Sequence, residues 1–120
     1  MRPDRLYLLD IVEAAAAIQK FLSGATEEAF RGDDLLQSAV LQKLIVVGEA
    51  ASRLPDDDLC ARYPQIDWQG IAGFRNIAVH AYFAVDWGIV WVAATEEVPE
   101  LARQVQGILD QEFPEGGSAG

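Results

Sequence analysis

Four polar residues whose side chains could do chemistry lie close together in one apolar stretch of the sequence. Arg75, Asn76, His80 and Tyr82 fall within segment 73–83, which reads GFRNIAVHAYF, and His80 is the single histidine of the chain. A histidine can move a proton near neutral pH, and an arginine presents a planar fork of N–H donors to phosphate oxygens. The segment is therefore a candidate active site. The alternative is an amphipathic helix whose polar residues face solvent, since a lone helical histidine is more often structural than catalytic.

The spacing of these residues does not by itself bring them together. Asn76 and His80 are four residues apart and share one face of an α-helix. Arg75 and His80 are five apart, which places them about 140° from each other on an ideal helix. Three explanations stay open: the helix is irregular or ends near His80, the long arginine curls round, or a second chain completes the site.

Glu49 is a further candidate, because it lies in the apolar segment 45–51. A carboxylate in such surroundings needs a partner. Arg75 is one candidate partner, and the alternative is that Glu49 simply reaches the solvent edge of its helix.

Other kinds of site are not indicated. Segment 70–73 lacks the length and the lysine of a phosphate-binding loop, and one histidine and one cysteine cannot form a histidine-rich or cysteine-based metal site. We expect no metal and no cofactor.

The composition is that of one acidic domain. The chain has 120 residues, of which 51% are hydrophobic, and this length suits a single core. The most apolar run, 39–51, is too short and too interrupted by charge to span a bilayer, and the single cysteine, Cys60, suits a reducing compartment. We therefore expect a cytoplasmic protein without membrane contact. The net charge of −10 disfavours nucleic-acid binding unless the few basic residues converge on one cleft, and an acidic surface also suits a basic protein partner.

Hydrophobic residues recur at helical spacing along nearly the whole chain, and sustained period-two alternation is absent, so we predict an all-α bundle of about five helices. Asp34 followed by Gln37 is a capping-box pattern, and Asp67 and Asp86 are predicted N-caps. Pro99 is expected to break or restart the chain. We predict a single helical domain over 1–113 and a disordered tail over 114–120. The predicted helices run from Pro3 to Gly24, from Asp34 to about Arg53, from Pro55 to before Pro64, from Asp67 through the polar motif, from Asp86 through Ala94, and from after Pro99 to about Phe113. Residues 26–30 are predicted as a short capped turn.

Gly70 and Gly73 stand three residues apart in the helix that carries the motif. Each costs about 1 kcal/mol of helix propensity relative to alanine. Two such small residues on one face let another backbone approach closely. We therefore expect tight packing there, against either a neighbouring helix or a second subunit.

Taken together, these residues resemble a known family. The run Arg75-Asn76-Ile-Ala-Val-His80-Ala-Tyr82 resembles the Arg-x4-6-His-x-Tyr signature of the HepT-like family, in the HEPN superfamily. The likeness extends over roughly residues 4 to 112. It includes Arg5-Leu-Tyr-Leu-Leu-Asp-Ile11, Val47-Gly-Glu-Ala-Ala51, Ile66-Asp-Trp68 and Tyr82-Phe-x-Val-Asp86-x-x-Ile-Val-Trp91.

The resemblance implies a compact HEPN-like helical fold and a homodimer in which the motifs of both subunits face one cleft. It implies the toxin of a type VII-like toxin–antitoxin pair, acting on RNA as a metal-independent endoribonuclease. The implied partner is a minimal nucleotidyltransferase (MNT-type) antitoxin that adenylylates the motif tyrosine. By position, Arg75 and His80 would be catalytic, Asn76 the supporting polar residue beside the arginine, and Tyr82 the site of modification. Glu49, singled out above from its apolar surroundings, is a further supporting candidate.

Two other functions stay open. One is a non-catalytic subunit that binds nucleotide or substrate for a partner nucleotidyltransferase. An acidic surface agrees better with this function than with binding and cleavage of RNA. The other is a plain helical dimerisation module in which His80 is structural. The sequence does not specify the RNA target, the assembly beyond a dimer, or the modification state of Tyr82.

Overall fold

A computed structural model describes residues 2–77 and 85–114, and these residues form an all-α fold, as predicted. No helix in these two ranges is long and apolar enough to cross a bilayer. The predicted tail lies largely outside the described residues. The helices are α1 (Asp4–Phe21), α2 (Glu27–Arg31), α3 (Asp34–Ser52), α4 (Leu59–Arg62), α5 (Trp68–Ala72), α6 (Trp87–Val92) and α7 (Val98–Glu112), with a 3-10 helix at Gly73–Asn76 and a π-type segment at Ala93–Glu97.

The two long helices α1 and α3 form the centre of the fold. One core cluster joins the first half of α1 to the second half of α3, and another joins the second half of α1 to the first half of α3. The two helices are therefore antiparallel. Helix α7 packs on α1, and α5 with the 3-10 helix packs on α3. The second half of α3 therefore packs against α1 and also against the segment that leads into the motif.

The capping residues explain where the helices begin. The Asp67 carboxylate accepts a hydrogen bond from the Gly70 backbone N–H at 3.0 Å, and the Asp86 carboxylate accepts from Gly88 at 3.0 Å, so both predicted N-caps are confirmed. The prediction for Asp34 is wrong by one residue, because Asp33 is the cap of α3. Two adjacent aspartates offer the same cap chemistry, and Gln37 is not free for a capping box because its amide donates to the Arg31 carbonyl at 2.9 Å.

Pro99 interrupts the α-helical pattern without ending the helical path. The chain continues from α6 through the π-type segment Ala93–Glu97 directly into α7, where Pro99 occupies the first turn. Proline lacks a backbone N–H and its ring crowds the carbonyl four residues earlier. A wider π-type turn makes room for that ring, so the chain restarts as an α-helix along nearly the same path.

Gly48 is the glycine at which two backbones meet. A Cβ placed on Gly48 would lie 2.6 Å from the Arg75 backbone nitrogen and 3.1 Å from each of the Ile71 and Ala72 carbonyl oxygens. At Gly70 a Cβ would meet the Asp67 cap, and at Gly73 it would meet nothing within 4 Å among the described residues. The prediction of close packing at Gly70 and Gly73 is therefore wrong for a neighbouring helix, and packing against a second subunit stays a prediction.

Cys60 is buried within the core cluster that joins α1, α3 and α7. Burial, together with the negative charges of Asp56 and Asp4, raises the pKa of the Cys60 thiol to about 11. A neutral, buried thiol is a poor nucleophile. Cys60 is a core residue and not a reactive group.

We predict that Gly48→Ala destabilises the fold. The added methyl group would collide with backbone atoms that cannot rotate away, and overpacking of this kind costs about 1–3 kcal/mol. Urea unfolding measures the loss. The control is Gly107→Ala, because a Cβ on this helical glycine of α7 meets nothing within 4 Å in the described structure, so it should stabilise by about 0.5–1 kcal/mol. Equal stability of Gly48→Ala and the unmodified protein would contradict the close contact.

We also predict slow labelling of Cys60 by a disulfide reagent at neutral pH in the folded protein, and fast labelling in urea. Because the folded pKa lies above the ordinary value of 9.0, the folded state retains a proton that the unfolded state loses. The contribution of Cys60 to stability is therefore complete below pH 9 and is lost as pH rises toward about 11. Rapid labelling of the native protein at neutral pH would show that the thiol is accessible and ionised.

Candidate active site

The 3-10 helix Gly73–Asn76 turns Arg75 outward. Residues three apart lie directly above one another in a 3-10 helix. Phe74 and Ile77, which have this spacing, are partly buried against the core, and Ile71 continues the row one step earlier. Arg75 and Asn76 consequently face solvent, and both are exposed. An irregular helix was one of the three explanations for the spacing of Arg75 and His80, and over residues 73–76 the helix is irregular.

The Arg75 side chain is held against the end of α3. Its Nη1 donates a hydrogen bond to Ser52 Oγ at 3.2 Å and lies 3.5 Å from Glu49 Oε2. Ser52 Oγ in turn donates to the Glu49 backbone carbonyl at 2.7 Å, which fixes the hydroxyl so that its lone pairs face Arg75. The guanidinium is therefore aimed by two partners while 48% of the Arg75 side chain stays exposed.

Glu49 pairs with two arginines at once. Arg53 donates from Nε at 3.0 Å and from Nη2 at 2.9 Å, both to Oε1, whereas Arg75 faces Oε2. The hydrogen bonds from Arg53, followed by the charges of Arg53 and Arg75, hold the pKa of Glu49 below its ordinary value. Glu49 therefore stays ionised in mildly acidic solution. Of the two alternatives for Glu49, the structure shows elements of each: the side chain is exposed, and its Oε2 faces Arg75.

The pairing orients the side chains more than it stabilises the fold. All three side chains are substantially exposed, at 44% for Glu49, 60% for Arg53 and 48% for Arg75. Exposed ion pairs contribute about 0.2–1 kcal/mol. The arrangement therefore places positive charge at a defined point. Exchange of the carboxylate for an incoming anion costs little free energy, because the exposed pair is weak.

The structure brings together some of the predicted site residues. Arg75 and Glu49 are in contact, and Asn76 is exposed beside Arg75 at the end of the 3-10 helix. His80 and Tyr82 lie outside the described residues, so their roles stay predictions. Ser52 and Arg53 were not among the predicted site residues. The spacing of Arg53, four residues after Glu49 on a predicted helix, is the signal that could have found it.

An open groove adjoins this cluster, between α1 and α3. It has a volume of about 400 Å³, and Glu49 and Arg53 line it on the side of α3. On the side of α1, the Arg2 guanidinium lies over the Tyr7 ring, 5.0 Å from its centroid, and pairs with Asp10. Arg53 therefore borders open space that a polymer chain could enter.

Comparison with known proteins identifies the family. The family model described as "Ribonuclease HepT-like" matches residues 11–108. A Thermococcus cleftensis protein named "Probable ribonuclease HepT" is 36% identical over 100 residues, which cover 83% of this chain and 90% of that protein. A protein of Methanocaldococcus jannaschii, provisionally named an RNase, is 34% identical over 105 residues, covering 88% and 86%. One of Caldanaerobacter subterraneus, also provisionally named an RNase, is 33% identical over 112 residues, covering 93% and 99%. No solved structure is significantly similar. The chain belongs to the HepT-like ribonuclease family.

Proposed function

We propose that this protein is the toxin of a type VII-like toxin–antitoxin pair and cleaves RNA as a metal-independent endoribonuclease, with Arg75 and His80 as catalytic residues. One observation carries the proposal: in a chain of this ribonuclease family, the arginine of the motif is exposed and is held in place by side chains of α3. A guanidinium fixed in this way is suited to bind a phosphate group.

The proposed reaction is an internal transfer at one phosphodiester. The 2′-OH attacks the adjacent phosphorus, its proton passes to a base, and the bond from phosphorus to the 5′-oxygen breaks. The products are a 2′,3′-cyclic phosphate and a 5′-OH that takes a proton from an acid. His80 supplies the proton transfer, because an imidazole titrates near neutral pH. Arg75 stabilises the negative charge that develops on the phosphorane.

A homodimer would supply what one chain lacks. One histidine cannot act as base and acid in the same step, and each chain contains a single histidine. Two-fold symmetry would place His80 and Arg75 of both copies around one cleft. The second copy would also complete the site across the five-residue spacing of Arg75 and His80.

Silencing is proposed to occur at Tyr82. The Tyr82 hydroxyl oxygen attacks the α-phosphorus of ATP, the bond from that phosphorus to the β-phosphate oxygen breaks, and pyrophosphate leaves while the phenolic proton passes to a base. An MNT-type nucleotidyltransferase antitoxin would catalyse the step. The attached AMP adds bulk and negative charge next to the motif, and both oppose the approach of RNA.

The charge of the surface favours a second candidate function, a non-catalytic subunit that binds nucleotide or substrate for a nucleotidyltransferase. The net charge is −10, and at least six of the nine basic residues form ion pairs with carboxylates in the part of the chain that the structure describes. Little positive charge is left to attract a long RNA from solution. This candidate predicts nucleotide or substrate binding with no RNA cleavage.

We predict that the purified protein with unmodified Tyr82 cleaves labelled tRNA or mRNA in the presence of EDTA. His80→Ala and Arg75→Ala should each lower the rate by at least about a hundredfold, since one loses proton transfer and the other charge stabilisation. The control is Arg103→Ala, which removes an arginine paired with Glu100 on α7 and should leave the rate unchanged.

The outcomes separate the two candidate functions. If the protein with its original sequence and bare Tyr82 cleaves RNA and both motif variants do not, the result supports the nuclease and its motif. If folded, dimeric protein with bare Tyr82 cuts no better than the variants, the nuclease proposal fails and the binding-subunit function leads. Loss of cleavage in EDTA that returns with added Mg²⁺ would overturn metal independence.

We predict that incubation with ATP and an MNT-type nucleotidyltransferase adds one AMP group to Tyr82 and abolishes cleavage. Intact-protein mass spectrometry and peptide mapping measure the modification. Tyr82→Phe should gain no AMP and should keep its cleavage activity. The control is Tyr63→Phe, which removes the hydroxyl of a tyrosine that donates to Glu112 and should gain one AMP as the original protein does. Modification of Tyr82→Phe, or of a residue other than Tyr82, would contradict the assignment.

A further inference from the structure

We infer that Arg53 is an RNA-binding residue: Arg53 and Arg75 together hold one backbone phosphate of the RNA, in the place that the Glu49 carboxylate takes in this structure. The inference rests on the proposed function and deepens it, because it adds a residue outside the motif to the substrate site. It also gives Glu49 a second role, as a competitor of the phosphate.

The geometry around Glu49 matches what a phosphodiester requires. One guanidinium, Arg53, binds one carboxylate oxygen at 2.9–3.0 Å, and the other, Arg75, faces the second oxygen at 3.5 Å. A phosphodiester likewise presents two oxygens that are not part of the chain, and arginine binds such oxygens with the same charge-assisted hydrogen bonds. The two arginines are therefore already spaced for an anion with two acceptor oxygens.

Exposure of the cluster makes the exchange feasible. Arg53 is 60% exposed and Arg75 48% exposed, so a phosphate can reach both without any opening of the fold. Ser52 retains its hydrogen bond to Arg75 when the carboxylate leaves, because the hydroxyl is fixed by the Glu49 backbone and not by its side chain. Arg75 consequently keeps its position while its second partner changes.

The local charge also favours an anion. Arg53, Arg75 and Glu49 sum to one positive charge in a protein whose net charge is −10. Removing the Glu49 carboxylate from between the arginines, by rotation or by substitution, leaves two positive charges facing one point. Arg53 also lines the open groove that Arg2 and Tyr7 border, and the next part of an RNA strand can run there.

Binding of a labelled 2′-O-methyl RNA tests the inference, because this RNA keeps every phosphate and lacks the attacking hydroxyl. Fluorescence anisotropy over a series of salt concentrations gives the affinity and its salt dependence. We expect Arg53→Gln to weaken binding about tenfold, which is the effect of losing one charge-assisted contact. The slope of the logarithm of the association constant against the logarithm of salt concentration, which is negative, should become less negative by about 0.7. The matched control is Arg103→Gln, which removes another exposed, ion-paired arginine, from α7, and should change neither value.

A second pair of variants tests the competition by Glu49. Glu49→Gln removes the competing charge and should tighten binding several-fold, whereas Glu100→Gln makes the same change in net charge beside Arg103 and should have little effect. Circular dichroism and urea unfolding establish that all four variants are folded. Weaker binding by Glu49→Gln than by the unmodified protein would overturn the competitor role.

The outcomes distinguish this inference from the proposed nuclease. If the unmodified protein cleaves RNA and Arg53→Gln binds RNA as Arg103→Gln does, the inference is wrong and the nuclease stands. If 2′-O-methyl RNA binds in an Arg53-dependent way but RNA is never cut, the inference stands and the nuclease fails. If RNA binding is unchanged in Arg53→Gln while its oligomeric state shifts on gel filtration, this surface is a protein contact and the inference is overturned.

Discussion

The contact of two backbones at Gly48 is the constraint on which the rest of the site depends. Because Gly48 has no Cβ, the segment that carries Ile71, Ala72 and Arg75 lies directly on α3. Glu49 lies one residue after Gly48, and Ser52 lies four residues after it. Both are therefore within reach of the Arg75 side chain, whose backbone contacts Gly48. Arg75 reaches Ser52 and Glu49 because its own backbone nitrogen is already pressed against that helix.

The same contact explains how an acidic protein can present a usable arginine. The net charge describes the average surface, but an anion responds mainly to the charges within about 10 Å, since salt screens more distant ones. At the end of α3 two arginines share one carboxylate, and the local sum is positive. Elsewhere on the described surface, Arg31, Arg62 and Arg103 are each paired with at least one carboxylate of their own. The cluster of Glu49, Arg53 and Arg75 thus carries one positive charge in excess of its carboxylate, directly beside the motif.

Much of the fold follows from local rules, whereas the site depends on contacts between distant segments. The helical class and the caps at Asp67 and Asp86 were predictable because periodicity and cap chemistry act over a few residues. The 3-10 helix was not predicted, although the row Ile71, Phe74 and Ile77 has the spacing of three that favours it. The role of Gly48 could not be read from the sequence, because it depends on which segment arrives from elsewhere in the chain. Arg75 was one candidate partner for Glu49 and the solvent edge was the alternative; the structure shows an exposed Glu49 that faces Arg75, whereas Arg53 was overlooked. The roles of His80 and Tyr82 stay predictions.

The partners of Arg75 meet two opposing requirements. In the proposed reaction, the Arg75 guanidinium must be held in one place, yet it must also be available to the substrate. A buried ion pair would hold it firmly, but breaking such a pair costs about 3–5 kcal/mol, which the substrate would have to supply. The exposed pair with Glu49 is worth about 0.2–1 kcal/mol, and Ser52 provides a neutral hydrogen bond that does not compete for an anion. Position is therefore maintained by the hydroxyl and by the backbone contact at Gly48, and the carboxylate can give way to a phosphate without loss of the geometry.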